Sequence, residues 1–83
     1  LIHRVVNDAA LRDEAFTLAR QLAAQPTYGL ALIKRSLNAS FDNGFEEQLE
    51  LERDLQRLAG RSEDYREGVA AFMAKRAPAF KGC

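Results

Sequence analysis

Residues 64–82 read DYREGVAAFMAKRAPAFKG and combine a helical pattern, an interior glycine, aromatic residues and a proline stop. Tyr65, Val69, Phe72 and Met73 recur at i, i+4, i+7 and i+8, with Arg76 one turn on. That is the spacing of one helical face. A helix over residues 63–76 is therefore expected, with this stripe as its core-facing side. Along the edge of the stripe, Gly68, Phe72 and Lys75 follow at i, i+4 and i+7, putting a bare backbone, a ring and an ammonium group on one narrow track. Glycine inside a helix costs about 1 kcal/mol against alanine, which points to a close approach to the backbone there. Two readings fit the track. In one, Phe72 is core, Gly68 a packing contact and Lys75 solvated; in the other, the three form an edge that receives a ligand. Pro78 closes the helix, and Phe80 is an aromatic anchor for an otherwise polar tail.

Working outward, Ser62 is a natural N-cap, with Glu63 and Asp64 complementing the helix dipole, and Gly60 is a natural C′ residue for the helix before it. That preceding helix is expected over residues 45–59. Its apolar positions form two lines, Leu51, Leu55 and Leu58 beside Phe45 and Leu49. A face that broad suits two neighbours, one of them in another subunit. Glu50 with Arg53 and Asp54 with Arg57 supply exposed i, i+3 pairs, weak contacts that mark a solvated face rather than a catalytic dyad. Residues 41–44, FDNG, form a turn. A helix over 26–40 carries Leu30, Ile33 and Leu37, with Lys34 and Arg35 as solvated flanking cations.

A helix over 9–24, capped by Asn7 or Asp8, presents Leu11, Ala15, Leu18, Ala19 and Leu22 on one side. Gln25-Pro26 ends it, and the first two helices are expected to form an antiparallel hairpin. Residues 1–6, LIHRVV, are β-branched and read as an extended segment with nothing to pair with. His3 has no nucleophile or carboxylate suggested beside it and reads as structural. The fold class is thus all-α: one small domain, 1–83, of about four helices behind a short extended N-terminal segment.

Composition narrows function by exclusion. Twelve basic residues balance twelve acidic ones, so no net field draws nucleic acid or an anionic membrane, and neither is expected as a partner. No apolar run reaches the roughly 18 residues of a membrane span, and no signal peptide is visible, so a cytoplasmic location is the default. One histidine and one cysteine, Cys83 in what reads as a free tail, cannot build a metal site. Phosphate loops, CxxC and HExxH motifs are lacking as well. With no catalytic apparatus among these residues, function must come through binding, assembly, or completing a site whose reactive groups lie elsewhere.

Three runs carry a resemblance: LAAQPTYGLALIKRSLN, LELERDLQRLAGRSEDYREGV and AAFMAKRAPAFKG. Together they resemble the C-terminal helical region of the crotonase superfamily, the enoyl-CoA hydratases and isomerases. The most specific part is the D-x-x-E-G-V-x-A-F-x-x-K-R-x-P-x-F pattern over 64–80, and the later helices look most like the phenylacetate-degradation branch. The resemblance implies an acyl-CoA isomerase or hydratase. Its ββα core, absent here, would hold the oxyanion-hole amides and proton-moving acids, and the chain alone would be inactive. It implies that coenzyme A enters as a thioester substrate rather than a tightly bound cofactor, that Phe72 lies by its acyl or adenine end, and that Lys75 approaches its phosphate-bearing nucleotide. It further implies assembly into trimers or dimers of trimers, with the chain on its own associating as a dimer or trimer. The alternative is a free-standing helical module that binds a protein partner through its apolar faces.

Overall fold

The computed structural model describes residues 2–83. Four helices follow in order, α1 Asp8–Ala23, α2 Thr27–Ala39, α3 Phe45–Gly60 and α4 Glu63–Met73. No strand occurs among the described residues. Leu1, part of the expected extended segment, lies outside them; residues 2–6 carry no regular structure, and Arg4 pairs with Glu14 of α1 at 2.6 Å.

The helices begin where the sequence supplies a stop for the previous one or a cap for the next. Asn7 precedes α1 with extended backbone, and its carbonyl accepts from Ala10 N at 2.9 Å without a side-chain cap. Pro26 stands just before α2, whose first orphan donors cost nothing at a residue that lacks an N–H. Ser62 caps α4 through its hydroxyl, which accepts from Tyr65 N at 3.0 Å. Gly60, expected just past the end of α3, is its last helical residue, and Arg61 is the cap with ordinary right-handed dihedrals.

Packing centres on the α2–α3 pair, with a smaller contact between α3 and α4. Leu55 is the apolar centre at 5% exposure, and burying a leucine of this kind contributes about 2 kcal/mol. At the turn end, Gln48 Nε2 donates to Ser36 O at 3.2 Å and to Ser36 Oγ at 3.1 Å, while Asn43 Nδ2 donates to Gln48 Oε1 at 3.1 Å. This polar knot fixes how α3 enters against α2. Asp54 and Arg57 pair at 3.5 Å as expected, whereas Arg53 turns to its neighbour Asp54 at 3.3 Å instead of to Glu50.

The structure corrects which faces are buried. On α2, Leu30 of the expected stripe is part-covered together with Gly29, Leu32 and Ser36, while Ile33 and Leu37 are 56% and 61% exposed. The α1 stripe is mostly open, with Leu18 part-covered, Leu11 and Leu22 exposed and no residue of α1 buried. The expected α1–α2 hairpin therefore buries no residue of either helix. On α4 the inward positions are Asp64, Glu67, Gly68 and Ala71, and the stripe of Tyr65, Val69, Phe72 and Met73 faces solvent. The physical reason is that the small and acidic face of α4 is occupied by the chain's own tail. The result is an open molecule. The radius of gyration is 16.0 Å, against about 12 Å for a compact chain of this length. The accessible surface is 7152 Å², against about 5,000 Å² for a compact monomer of this mass.

Candidate functional site: the α4 terminus and its tail

Helical periodicity runs on through Arg76, yet α4 stops three residues earlier. Ala74 is its cap, and Lys75 adopts φ 54, the only non-glycine with positive φ among the described residues. Lys75 N donates to Phe72 O at 3.2 Å and Arg76 N to Ala71 O at 3.0 Å. That pair is a Schellman closure, with lysine where glycine usually stands. A left-handed lysine costs about 1 kcal/mol, so something beyond must hold the reversal.

What holds it are two carboxylates on the inward face of α4. Glu67 takes both arms of Arg76, Oε1 accepting from Nη1 at 2.6 Å and Oε2 from Nη2 at 3.1 Å, and Oε1 also accepts from Ala79 N at 2.9 Å. The guanidinium, then the Ala79 amide, hold the Glu67 carboxyl down to about 2, with Lys81 adding a smaller attraction, and the same pairing raises Arg76. The group stays ionised throughout the neutral range. Nine residues separate Glu67 from Arg76; on a continued helix they would stand about 14 Å apart along the axis. Only the turn at Lys75 brings them together.

Asp64 is 3% exposed. Its Oδ1 accepts from Lys81 N at 2.7 Å and its Oδ2 from Gly82 N at 2.8 Å, while its own N–H donates to Cys83 O at 2.8 Å. This amide is one of the unpaired donors of the first turn of α4, so the tail satisfies the helix start as the carboxylate satisfies the tail. The Cys83 thiol donates to Glu63 Oε2 at 3.5 Å, a contact that raises its pKa. Residues 76–83 thus run antiparallel along α4, and the end expected as a free tail is pinned.

Phe80 is what lies over Gly68, but not closely enough to require a glycine there. A methyl group placed on Gly68 would lie 3.6 Å from Phe80 Cε1, an ordinary contact. The track drawn through Gly68, Phe72 and Lys75 is accordingly split. Gly68 faces the tail, whereas Phe72, 82% exposed, and Lys75 stand together at the solvent-facing end of α4. Sequence reasoning took Asp64 only as a dipole complement and did not single out Glu67. The signal available was acids at i and i+3 beside the small residues Gly68 and Ala71, a face shaped to receive backbone rather than side chains.

Chemically, this end offers an aromatic surface and an ammonium group in no ion pair among the described residues, suited to a stacked ring and an anion. It offers no nucleophile or general base. Among the described residues no cluster of His, Cys, Asp or Glu is placed to hold a metal ion, and no helix is long and apolar enough to cross a membrane.

Against known proteins, the enoyl-CoA hydratase/isomerase family profile matches residues 1–83. The chain is 60% identical over 82 residues to the 1,2-epoxyphenylacetyl-CoA isomerase of Escherichia coli (strain K12), covering 99% of this chain and 31% of that protein. It is 39% identical to a probable enoyl-CoA hydratase of Rhodobacter capsulatus, covering 99% of this chain and 32% of that one. A solved enoyl-CoA hydratase structure from Geobacillus kaustophilus HTA426 superposes with a TM-score of 0.93 at 35% identity, over 99% of this chain and 31% of that one. The chain therefore spans about a third of the length of the relatives it matches.

Proposed function

Because the chain belongs to the enoyl-CoA hydratase/isomerase family, we propose that it is the C-terminal assembly and coenzyme A-contacting region of an acyl-CoA isomerase or hydratase in the phenylacetate-degradation branch. The observation that carries the reading is that Phe72 is 82% exposed at the end of α4 and Lys75, three residues on, is in no ion pair among the described residues, while the neighbouring Arg76 is tied to Glu67. Phe72 offers a stacking surface to the acyl or adenine end of the thioester, and Lys75 a point charge to a nucleotide phosphate. Carbonyl polarisation and proton transfer belong to residues outside this chain, so coenzyme A enters here as part of the substrate. A cytoplasmic site of action goes with this reading.

The test is steady-state kinetics of the enzyme carrying this region. Lys75→Ala should raise KM for acyl-CoA by about tenfold with kcat little changed, since it removes a charge contact equally present in the ground and transition states. Equal kinetics in the two proteins would sink the assignment.

The second part of the proposal concerns assembly. The exposed lines of α1, α2 and α4 include Phe16, Ile33, Leu37, Val69 and Met73, more apolar surface than a small monomer leaves in water. In the enzyme these faces meet its catalytic core and neighbouring copies in a trimer or dimer of trimers. The 83-residue chain alone should sediment as a dimer or trimer at tens of micromolar; a monomer there would contradict this. The reading as a free-standing interaction module rests on the same faces and has no observation that favours it.

A further inference from the structure

Two carboxylates with no catalytic or binding role read from the sequence account for more of the tail's hydrogen bonding than any other side chains. Asp64 grips two consecutive tail amides and Glu67 grips a guanidinium and a third amide. Between them they fix residues 76–82 to α4, and the reversal they enforce begins at Lys75.

We propose that Asp64 and Glu67 are positioning residues, a two-carboxylate latch that holds the tail against α4 and thereby holds Lys75 in its left-handed turn beside Phe72. The proposal deepens the coenzyme A reading above and rests on it for the identity of the ligand. A lysine one position past a helix end has two conformations within reach: continue the helix, as the periodicity through Arg76 favours, or reverse. Reversal is intrinsically unfavourable for a residue with a Cβ. Two backbone bonds offset part of that cost at the turn itself, and the rest of the compensation comes after it, when Arg76 closes on Glu67 and the Ala79, Lys81 and Gly82 amides close on the two acids. Charge-assisted bonds of this kind are the strong members of their class. Because Arg76 is consumed by Glu67, Lys75 is left as the cation of the pair that can meet an anion. The latch therefore does two things at once: it aims one cation and withdraws the other.

Gly82 shows how closely the tail is seated. It has φ +80, and a Cβ there would lie 2.6 Å from Thr27 Oγ1, so the tail also reaches the start of α2. The strap ties α4 to the α2–α3 pair at the end opposite Lys75.

The experiment compares Asp64→Ala, Glu67→Ala and Glu67→Gln with the unmodified protein. In the 83-residue chain, amide hydrogen exchange is followed by NMR with helical content checked by circular dichroism. In the enzyme carrying this region, KM and kcat for acyl-CoA are measured. Asp64→Ala should speed exchange at Lys81 and Gly82 by about tenfold or more. Glu67→Ala should abolish protection at Ala79 and shift the Lys75 backbone resonances towards helical values. Glu67→Gln, which keeps the acceptor oxygen, should restore protection at Ala79 only. Both alanine variants should raise KM while leaving kcat within about twofold. If Asp64→Ala loses helix content, the Glu67 pair, at the partly exposed position, decides alone. Tail amides that exchange equally fast with and without the carboxylates overturn the latch. A latch that opens with KM unchanged, while Lys75→Ala raises KM, overturns the positioning role and leaves the coenzyme A reading standing. If Lys75→Ala also leaves KM unchanged, that reading fails and takes the positioning role with it.

Discussion

The α2–α3 pair and the α4–tail unit are two halves of one small chain held by different physics. The first closes on a leucine, Leu55, buried between helices. The second closes on acids that bind backbone amides, with the buried carboxylate of Asp64 at its centre. Apolar packing between helices tolerates sliding and compensation, because its strength follows area rather than direction. Hydrogen bonds from a fixed carboxylate to named amides do not, because they weaken steeply with angle. In the half that carries the core, directional bonds are confined to the Gln48–Ser36–Asn43 knot at the turn end, whereas in the half that carries Phe72 and Lys75 they run along the tail and set its position.

The comparison can be broken at either half. Leu55→Ala should have the largest effect, a loss of about 3 kcal/mol in urea denaturation. A groove of about 290 Å³ lined by Leu32, Ile33, Leu55 and Ala59 lies beside it, and collapse into that space limits the cost. Local exchange protection of the tail amides should survive this change at temperatures where the chain stays folded. If protection of Ala79 and Gly82 falls in parallel with global stability, the two halves form one cooperative unit and the distinction is lost. A smaller effect, about 1–2 kcal/mol, is expected from Gly82→Ala, which forces an alanine to φ +80. Its signature should be confined to the tail and the Thr27 end of α2. Gly68→Ala serves as the contrast: the Phe80 ring leaves ordinary contact distance for a methyl group, so thermal denaturation should show no loss.

Most of the fold was legible in the sequence, and the reasons are local. Pro26, the FDNG turn and Ser62 are breakers and caps whose chemistry does not depend on the rest of the molecule, so four helices were placed within a few residues of their observed ends. The orientation of the helices was not legible from periodicity. Apolar stripes on α1, α2 and α4 predict burial, but periodicity does not say against what, and in this chain those stripes stay mostly open. The end of α4 was misplaced because a periodic pattern continues through Arg76 while a long-range ion pair to Glu67, nine residues back, stops the helix at Met73. For the candidate site, Phe72 and Lys75 came from the family resemblance together with spacing. Asp64 and Glu67 escaped because their partners are mostly backbone amides, which look the same at every position of a sequence.

The proposed contact of Lys75 with a nucleotide phosphate can be read out in one experiment. It is tested most directly by a kinetic cycle on the enzyme carrying this region, with Lys75 or Lys75→Ala, and with acyl-CoA or its 3′-dephospho analogue. The account predicts that the unmodified enzyme has a lower KM for the phosphorylated thioester and that Lys75→Ala erases this preference with kcat little changed. A preference that persists undiminished in Lys75→Ala would contradict it.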